Sequence, residues 1–356
     1  MSAPAAVDGV QITEVRAAHR IDEKALASYL AERIPGFKGP LVVRQFEGGQ
    51  SNPTYLLSDG AREWVMRKKP PGKLLPSAHA VDREYRVMKA LADTAVPVPK
   101  MELLCEDDGV IGTAFFVMEK VEGRVLADVQ MPSLTPPERR AIYNDFIDKL
   151  AALHSVDYQA VGLEGFGRPG SYYARQIGRW SKQYEGSKTD QIDAMDRLME
   201  WLPANIPDDD ETSIVHGDYR PGNCIIHPSE PRIVAVLDWE LSTLGQALGD
   251  VAYCCMGYHG NLGTAGNLAA IDHAAMDIPT EQEFLARYCE KTGRPGIENW
   301  PFYLVFALFR IAAIGQGVYK RGLDGIASSD RATQFADVCR IRAEIAWNMV
   351  TDAKLD

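Results

Sequence analysis

The sequence predicts an α+β fold of two lobes, in which a small antiparallel sheet with one main helix precedes a larger and mostly helical half. Short runs with period-2 alternation dominate residues 41–118, whereas patterns with a period near 3.6 dominate residues 124–356. The change falls at residues 119–123, which we expect to form a hinge between the lobes. With 356 residues, the chain is long enough for each lobe to have its own hydrophobic core.

The elements of the first lobe follow from local patterns. Residues 1–40 are expected to form a loose N-terminal arm and a short helix that ends near Pro35-Gly36. Two strands then flank a turn that contains Gly48 and Gly49, and the hairpin turn Asp59-Gly60 leads into a third strand. The expected strands are 41–46, 54–58, 63–68 and, after an amphipathic helix at 78–93 and one further β run, 114–118.

The second lobe begins with a helix whose start has the capping-box sequence Thr135-Pro136-Pro137-Glu138. One apolar run, Phe302–Ile314, is interrupted by Arg310 and falls short of the ~20 residues that a membrane span needs. We therefore expect a buried helix there and no membrane partner. Further helices are expected near 171–185, 190–202, 279–292, 300–319 and 329–353, and short strands at 213–215 and 233–237.

Composition and charge argue against several functional classes. A net charge of −11 disfavours a nucleic-acid partner, because no basic stripe is available to neutralise phosphates. The six cysteines have neither C-x-x-C pairing nor a regular framework, and the N-terminus has no recognisable secretory signal. We therefore expect reduced thiols and a cytoplasmic location.

The most informative stretch is His216-Gly217-Asp218-Tyr219-Arg220-Pro221-Gly222-Asn223, which is followed by Leu237-Asp238-Trp239-Glu240. Phosphoryl transfer from ATP needs a carboxylate to orient the attacking hydroxyl and oxygen ligands to hold Mg²⁺. Kinases of the protein-kinase type take these from a catalytic-loop Asp, an Asn five residues on and an Asp in the next strand-turn. The stretch therefore predicts an ATP-dependent kinase with a bilobal protein-kinase-like fold.

Five residues receive roles from this pattern. Asp218 is the expected base, and Asn223 and Asp238 are the expected Mg²⁺ ligands. An H-G-D triplet alone is more often a turn cap, but three residues in register favour the catalytic interpretation. His216 is expected to orient the loop by hydrogen bonding, and Asp250 to tie the next helix to that loop.

The nucleotide is expected to bind the first lobe. A turn with adjacent glycines allows close approach of backbone amides to phosphates, although a plain hairpin turn has the same sequence. Val65 and Arg67 share one strand face, so Val65 would contact adenine and Arg67 would reach the α- and β-phosphates. Glu84 on the following helix is the expected partner of Arg67, unless it is an exposed helix residue. The full set is Gly49, Gln50, Ser51, Asn52, Val65, Arg67, Glu84 and, at the hinge through backbone groups, Glu119 and Val121.

Residues for the acceptor substrate are the hardest to predict. Arg310 lies within an apolar helix and requires either a buried carboxylate or an anionic ligand, and the sequence leaves both open. The candidates are Tyr219, Arg220, Glu240, Arg310 and Tyr319, with the basic Lys320 and Arg321 beside them.

Together, the H-G-D-x-x-x-x-N and L-D-W-E motifs resemble those of the aminoglycoside phosphotransferase-like kinase superfamily. A closer similarity is to the kinase-like domain of acyl-CoA dehydrogenase family members ten and eleven and to stand-alone bacterial relatives. It rests on the runs Gly49-Gln50-Ser51-Asn52-Pro53-Thr54-Tyr55, Arg67-Lys68-Lys69-Pro70-Pro71-Gly72-Lys73-Leu74-Leu75-Pro76-Ser77-Ala78-His79-Ala80, Leu237-Asp238-Trp239-Glu240-Leu241-Ser242-Thr243-Leu244-Gly245 and Tyr319-Lys320-Arg321-Gly322.

The resemblance implies ATP and Mg²⁺ as cofactors and a small-molecule acceptor with a hydroxyl group. For the closer branch it implies a hydroxyacyl group, as a coenzyme A thioester, whose phosphorylated hydroxyl becomes a leaving group. The 356 residues include no dehydrogenase domain, so a functional link to a separate acyl-CoA dehydrogenase is expected. An aminoglycoside-type antibiotic kinase and a non-catalytic nucleotide-binding regulatory module stay open as alternatives, as does a homodimer.

Overall fold

The structure is a computed structural model that describes residues 11–47, 52–70, 80–209, 211–260, 267–325 and 332–352. The chain divides into two compact units. The first comprises Met1–Ala127, Gln159–Leu163 and Pro221–Ser242, and the second comprises Asp128–Tyr158, Glu164–Arg220 and Thr243–Asp356.

The regular elements alternate little along the chain, because most strands come early and most helices late. The strands are β1 Ile12–Thr13, β2 Val42–Phe46, β3 Thr54–Ser58, β4 Glu63–Lys68, β5 Met101–Cys105, β6 Phe115–Glu119, β7 Ser213–Val215, β8 Cys224–Ile226, β9 Ile233–Val236 and β10 Thr243–Gly245. The helices are α1 Glu23–Arg33, α2 Val81–Leu91, α3 Asp108–Ile111, α4 Pro136–His154, α5 Tyr172–Ser187, α6 Asp193–Ala204, α7 Leu248–Cys255, α8 His273–Met276, α9 Glu281–Thr292, α10 Trp300–Leu323 and α11 Val338–Asp352.

The first unit is built on a six-stranded sheet with strand order β1-β2-β3-β4-β6-β5. All neighbouring strands are antiparallel, and β4 pairs with β6 so that Arg67 lies opposite Phe116. This sheet, followed by the mostly helical second unit, confirms the predicted α+β fold class. The expected loose arm was wrong at Ile12–Thr13, which pairs with β2 as an edge strand too short to leave a periodic signal.

One face of this sheet carries the core of the first unit. Trp64 and Met66 of β4 pack in one buried apolar cluster with Leu26 and Leu30 of α1. Since side chains alternate along a strand, Arg67 lies on the opposite face, as the period-2 pattern predicts. Burial of each large side chain contributes ~1.5–3 kcal/mol, so the cluster fixes the face on which Arg67 emerges.

The segment Pro221–Ser242 belongs with the first unit, although the predicted boundary placed all of residues 124–356 in the second lobe. Strands β8 and β9 form a hairpin, and the Val236 amide donates to the Pro97 carbonyl at 2.8 Å. Arg124 pairs with Ile226 in an isolated bridge. Gly123 lies beside it, where an added Cβ would come within 2.3 Å of Ile225 and Ile226. These contacts make the hairpin an extension of the first unit.

The second unit is mostly helical, with the short β7–β10 pair as its sheet. Helix α4 begins at the predicted capping box, where both reciprocal Thr135–Glu138 hydrogen bonds are present. In the described ranges α10 is the one helix long and apolar enough to cross a membrane, but 78% of its most apolar window is buried inside the protein. Core helices pass the same length and composition test, so this burial favours the predicted core helix. The predicted helix at 329–353 is shorter, because a 3₁₀ turn at Ala332–Phe335 precedes α11.

Candidate active site

The loop between β7 and β8 contains the H-G-D-x-x-x-x-N motif and is divided between the units. Its first part, through Arg220, belongs to the second unit, and its second part, from Pro221, belongs to the first.

Asp250 holds the first part of this loop in place. Its carboxylate accepts hydrogen bonds from the backbone amides of His216 at 2.6 Å and Gly217 at 2.9 Å, and His154 lies 3.4 Å away. Gly217 has φ +83°, a left-handed conformation that glycine adopts without strain. Burial alone raises the pKa of a carboxyl group, but the interactions with His154 and His216 outweigh it and hold the pKa of Asp250 below its usual value. Asp250 is thus a buried anion that fixes the loop conformation.

Both carboxylate oxygens of Asp218 have a hydrogen-bond donor within reach. The Tyr253 hydroxyl donates to Oδ1 at 2.5 Å, and Arg220 Nε donates to Oδ2 at 3.3 Å. The Asp218 amide donates to Nδ1 of His216 at 3.2 Å. The carboxylate is a quarter exposed, at 25%. One phenol and one guanidinium group therefore donate to a carboxylate that keeps contact with solvent.

Arg310 also contacts this loop from α10. Its Nη2 donates to the Gly217 carbonyl at 2.5 Å, and its Cζ atom lies 5.9 Å from the ring centroids of both Trp180 and Tyr253. The predicted alternatives for Arg310 were a core carboxylate or an anionic ligand. Among the described residues, Arg310 forms no ion pair with a carboxylate.

Two predicted acceptor residues are placed elsewhere in the second unit. Tyr219 is 1% exposed, and its hydroxyl donates to the Phe146 carbonyl at 2.9 Å, so it belongs to the core. Although Tyr219 directly follows Asp218 in sequence, its side chain is buried, whereas the Asp218 carboxylate is partly exposed. Tyr319 is half-buried and lies about 14 Å along α10 from Arg310, at ~1.5 Å per residue. Lys320, beside it, pairs with Asp324 at 2.5 Å.

In the first unit, Arg67 lies among carboxylates. Its Nη1 donates to Glu84 Oε2 at 2.6 Å, and both terminal nitrogens donate to Asp238 Oδ1 at 3.1 Å. Asn52 donates to the other Glu84 oxygen at 2.7 Å. Complete burial raises the pKa of Glu84 to about 7, because desolvation outweighs the attraction of Arg67. The predicted neighbours Asn52, Arg67 and Glu84 therefore form one buried network.

The two expected Mg²⁺ ligands are held at the base of the β8–β9 hairpin. The Leu237 amide donates to the Asn223 carbonyl at 2.8 Å, which joins one expected ligand to the residue before the other. Asp238 has φ +66°, an uncommon conformation outside glycine, and its side chain is 33% exposed. Its Oδ2 takes no hydrogen bond from the described residues, whereas Oδ1 bonds Arg67. Amide and carboxylate oxygens are the donors that Mg²⁺ prefers, so this set fits that ion.

Glu240 stands with this group in the first unit. It lies in the 3₁₀ turn Trp239–Leu241 and is close enough to Arg67 and Glu84 to affect the pKa of both. Its role as an acceptor residue stays a prediction. No group of three or more His, Cys, Asp or Glu residues with metal-binding geometry occurs among the described residues.

The other residues that were predicted to bind the nucleotide lie on β4, on β6 and in the segment after β6. Val65 is buried at 9% exposure and pairs with Met118 across the strands. The Glu119 amide donates to the Lys100 carbonyl at 2.9 Å, while the Val121 amide donates to none of the described residues. Gly49, Gln50 and Ser51 lie outside the described residues.

The sequence interpretation missed Tyr253, whose hydroxyl donates to Asp218. Tyr253 lies three residues after Asp250 on α7, a spacing that places both on one helix face, so the signal was available.

A model of the phosphotransferase enzyme family matches residues 42–292. The chain belongs to this family. The match runs from β2 of the first unit through α9 of the second.

Curated relatives confirm the predicted closer resemblance. Acyl-CoA dehydrogenase family member 10 of Mus musculus is 46% identical over 340 residues, which cover 95% of this chain and 32% of that protein. Acyl-CoA dehydrogenase family member 11 of Homo sapiens is 42% identical over 351 residues, which cover 96% of this chain and 44% of that protein. The chain thus spans less than half the length of these relatives.

Solved structures confirm the kinase-like fold. A protein from Ralstonia eutropha JMP134, provisionally assigned as an aminoglycoside phosphotransferase, is 50% identical with a TM-score of 0.86 and covers 94% of this chain and 99% of its own. Two more distant structures share the fold alone. They are aminoglycoside phosphotransferase APH(4)-Ia with AMP-PNP and hygromycin B (17% identity, TM-score 0.60, 91% and 98% coverage) and choline kinase from Cryptosporidium parvum (14%, 0.66, 94% and 98%).

Proposed function

We propose that this phosphotransferase transfers the γ-phosphoryl group of ATP to a hydroxyl group of a small-molecule acceptor. The observation that carries the proposal is the contact of Arg67 with both Glu84 and Asp238. A cation held between a helix carboxylate and the Asp of the L-D-W-E motif is the arrangement that binds nucleotide phosphates in kinases. Family membership and the AMP-PNP complex of a distant neighbour support the same activity.

Asp218 is the base in this proposal. As the acceptor oxygen bonds to the γ-phosphorus, the bond from that phosphorus to the bridging oxygen of ADP breaks, and the hydroxyl proton passes to Asp218. The donors Tyr253 and Arg220 hold the carboxylate in one orientation before the transfer. Asp250 and His216 act by holding the loop.

The residues of the first unit are assigned to Mg·ATP. Asn223 and Asp238 would hold Mg²⁺, which when bound neutralises the charge of the phosphates. Arg67 would contact the α- and β-phosphates, with Glu84 fixing its side chain. Gly49, Gln50, Ser51 and Asn52 are proposed to cover the phosphates, and Val65, Glu119 and Val121 to contact the adenine ring.

The acceptor that we favour is a hydroxyacyl group carried as a coenzyme A thioester. Support comes from the 46% identity with a protein named as an acyl-CoA dehydrogenase family member, of which this chain matches a third. Phosphorylation converts a hydroxyl into a leaving group, so elimination or oxidation by an acyl-CoA dehydrogenase would follow. A cytoplasmic location and a homodimer remain part of this proposal only as expectations.

An aminoglycoside acceptor is the second candidate, because the Ralstonia structure is named for that activity. Aminoglycosides are polycations and bind best to acidic surfaces. The residues around Asp218 in the second unit include Arg220 and Arg310, which oppose a cationic acceptor. This charge places the antibiotic below the acyl substrate.

The decisive experiment measures transfer from γ-labelled ATP with Mg²⁺ to 3-hydroxyacyl-CoA, 4-hydroxyacyl-CoA and kanamycin. Wild type is compared with Asp218→Asn, which keeps the shape of the side chain but cannot take up a proton. We expect labelling of an acyl-CoA that depends on Asp218. Labelling of kanamycin would select the antibiotic kinase, and nucleotide binding without transfer to any hydroxyl would select a regulatory module.

A further inference from the structure

Gly217 directly precedes the proposed base Asp218 in the loop between β7 and β8, and as a glycine it is a point of backbone freedom. Its φ of +83° is a left-handed conformation that a glycine adopts without strain. Rotation about the Gly217 ψ angle would turn the whole of the next residue, and with it the Asp218 carboxylate. A base that must point in one direction therefore requires groups that fix Gly217.

Both polar backbone groups of Gly217 are bound by buried side chains of opposite charge. Its amide donates to the Asp250 carboxylate of α7 at 2.9 Å, and its carbonyl accepts from Arg310 Nη2 of α10 at 2.5 Å. Asp250 is 2% exposed and Arg310 is 6% exposed. Hydrogen bonds with one ionised partner are roughly twice as strong as neutral ones, and the low dielectric of the interior strengthens them further. Two helices thus hold the two ends of one glycine.

The guanidinium group of Arg310 is itself held by aromatic rings. Its Cζ atom lies 5.9 Å from the ring centroid of Trp180 on α5 and 5.9 Å from that of Tyr253 on α7. A cation within about 6 Å of an aromatic centroid is attracted by the ring quadrupole. The Tyr253 hydroxyl donates to Asp218 Oδ1 at 2.5 Å. Arg310 is therefore linked to the base in two ways, through the Gly217 carbonyl and through the Tyr253 ring.

A backbone carbonyl is the partner that the sequence could not choose for Arg310. Burial of a guanidinium group is costly unless the group is paired. Among the described residues Arg310 forms no ion pair with a carboxylate, and its hydrogen bond goes to Gly217. A neutral donor such as glutamine would bond a carbonyl with a smaller desolvation penalty. The presence of a charged donor therefore indicates that the strength of this bond matters.

We propose that Arg310 is a positioning residue for Asp218, which acts with Asp250 to clamp Gly217 and so fixes the direction of the Asp218 carboxylate. The inference rests on the proposed function for the role of Asp218 as the base. In this role Arg310 contacts neither the acceptor nor the nucleotide, so its loss affects the reaction only through the base. The conformation of the loop does not depend on any substrate and should change as well.

The clamp is tested first by amide hydrogen exchange in the full-length chain, which needs no turnover. Wild type is compared with Arg310→Met, which removes the donor, and with Arg310→Lys, which keeps a charged donor. Arg139→Met is the matched control, because Arg139 of α4 also donates to a backbone carbonyl, that of Met276, at 2.9 Å. We expect the Gly217 and Asp218 amides to exchange at least tenfold faster in Arg310→Met than in wild type. In the other two variants their exchange should stay within threefold of wild type.

Two outcomes of the exchange measurement would overturn the proposal. Unchanged exchange of both amides in Arg310→Met would show that the clamp does not depend on the arginine. Equally faster exchange along the whole of α10 would show that Arg310 supports only the general packing of the second unit. If Arg310→Met does not fold, Arg310→Gln takes its place, since its shorter and neutral side chain should lose the same bond. None of these results depends on kinase activity.

Transfer from γ-labelled ATP then distinguishes a positioning role from a structural one. Arg310→Met should lower kcat at least tenfold and leave the KM for ATP within threefold of wild type. In the Asp218→Asn background the same substitution should lower kcat by less than threefold, because residues that act as one unit have non-additive effects. The full loss in both backgrounds would contradict the proposal. Faster exchange in Arg310→Met, without transfer by wild type to any acceptor, would support the clamp and count against the proposed function instead.

Discussion

Buried arginines form ion pairs in the first unit but not in the described part of the second. In the first unit, Arg67 is paired with Glu84 and Asp238, and Asn52 completes the bonding of Glu84. In the second, Arg310 and Arg342 are buried to a similar degree, and neither forms an ion pair with the described residues. A paired cation is held in place before any ligand arrives. The ion pairs of Arg67 fit its proposed role in holding nucleotide phosphates.

The largest effect is expected when the paired arginine loses its charge. Arg67→Met leaves Glu84 buried without its cation, and breaking such a pair costs ~3–5 kcal/mol. Urea unfolding should show a loss of that size. The double variant Arg67→Met, Glu84→Met removes both charges and should recover most of it. A loss under 1 kcal/mol for the single variant would mean that the ion pair contributes little to the free energy of unfolding.

Removal of the proposed base comes next. Asp218→Asn should lower kcat by about 10²–10⁴-fold, the range that general-base catalysis contributes. Binding of AMP-PNP, measured by calorimetry, should stay within threefold of wild type, because the assigned nucleotide contacts lie in the first unit. Retention of full activity would end the role given to Asp218.

Tyr253→Phe removes one donor from Asp218 and should have a smaller effect. A hydrogen bond to a charged group is worth ~1.5–3 kcal/mol, so kcat/KM for the acceptor should fall about tenfold or more. Tyr258→Phe is the matched control, since the Tyr258 hydroxyl donates to the Pro279 carbonyl instead. Equal rates for the two variants would show that the Tyr253 contact does not serve the reaction.

A separate effect concerns pH. The pKa of Glu84 in the folded protein, about 7, lies above the ~4.3 of an unfolded chain. The stability that Glu84 contributes is therefore fully present below the lower value and is lost as the pH rises through about 7. The free energy of unfolding of wild type, relative to Glu84→Gln, should fall over this window and level off above it. A difference that stays constant from about pH 4.5 to about pH 8 would contradict the shifted pKa.

The parts of the site that sequence could predict depend on short spacing. Asp218, Asn223 and Asp238 were predicted from their spacing in one loop and in the turn after the next strands. The sheet face on which Arg67 lies was predicted from the alternation of side chains along β4. Tyr219 was misplaced because adjacency in a loop does not determine which way a side chain points. Its ring packs 4.5 Å from that of Phe146, a contact 73 residues away in sequence. Strand β8 was not predicted, because the motif residues that precede it were interpreted only as a loop.

Arg342 illustrates what no local pattern contains. It lies in an ordinary helix, and its burial at 9% exposure is a result of tertiary packing. Arg310 could be flagged from sequence because it interrupts an apolar run, yet its partner could not be chosen. The sequence therefore predicted that Arg310 is buried but not which group it contacts, and it did not predict the burial of Arg342.

The β8–β9 hairpin has a consequence for how new sequence can enter this chain. Its turn, residues 228–231, is exposed, while the Leu237–Asn223 hydrogen bond at its base keeps the two proposed metal ligands together. Each doubling of a flexible loop costs only ~0.6 kcal/mol in closure entropy. The turn can therefore accept an inserted tag, reporter or binding peptide at small energetic cost. Such an insertion would sit on the same hairpin as Asn223 and Asp238, and could report occupancy of that site.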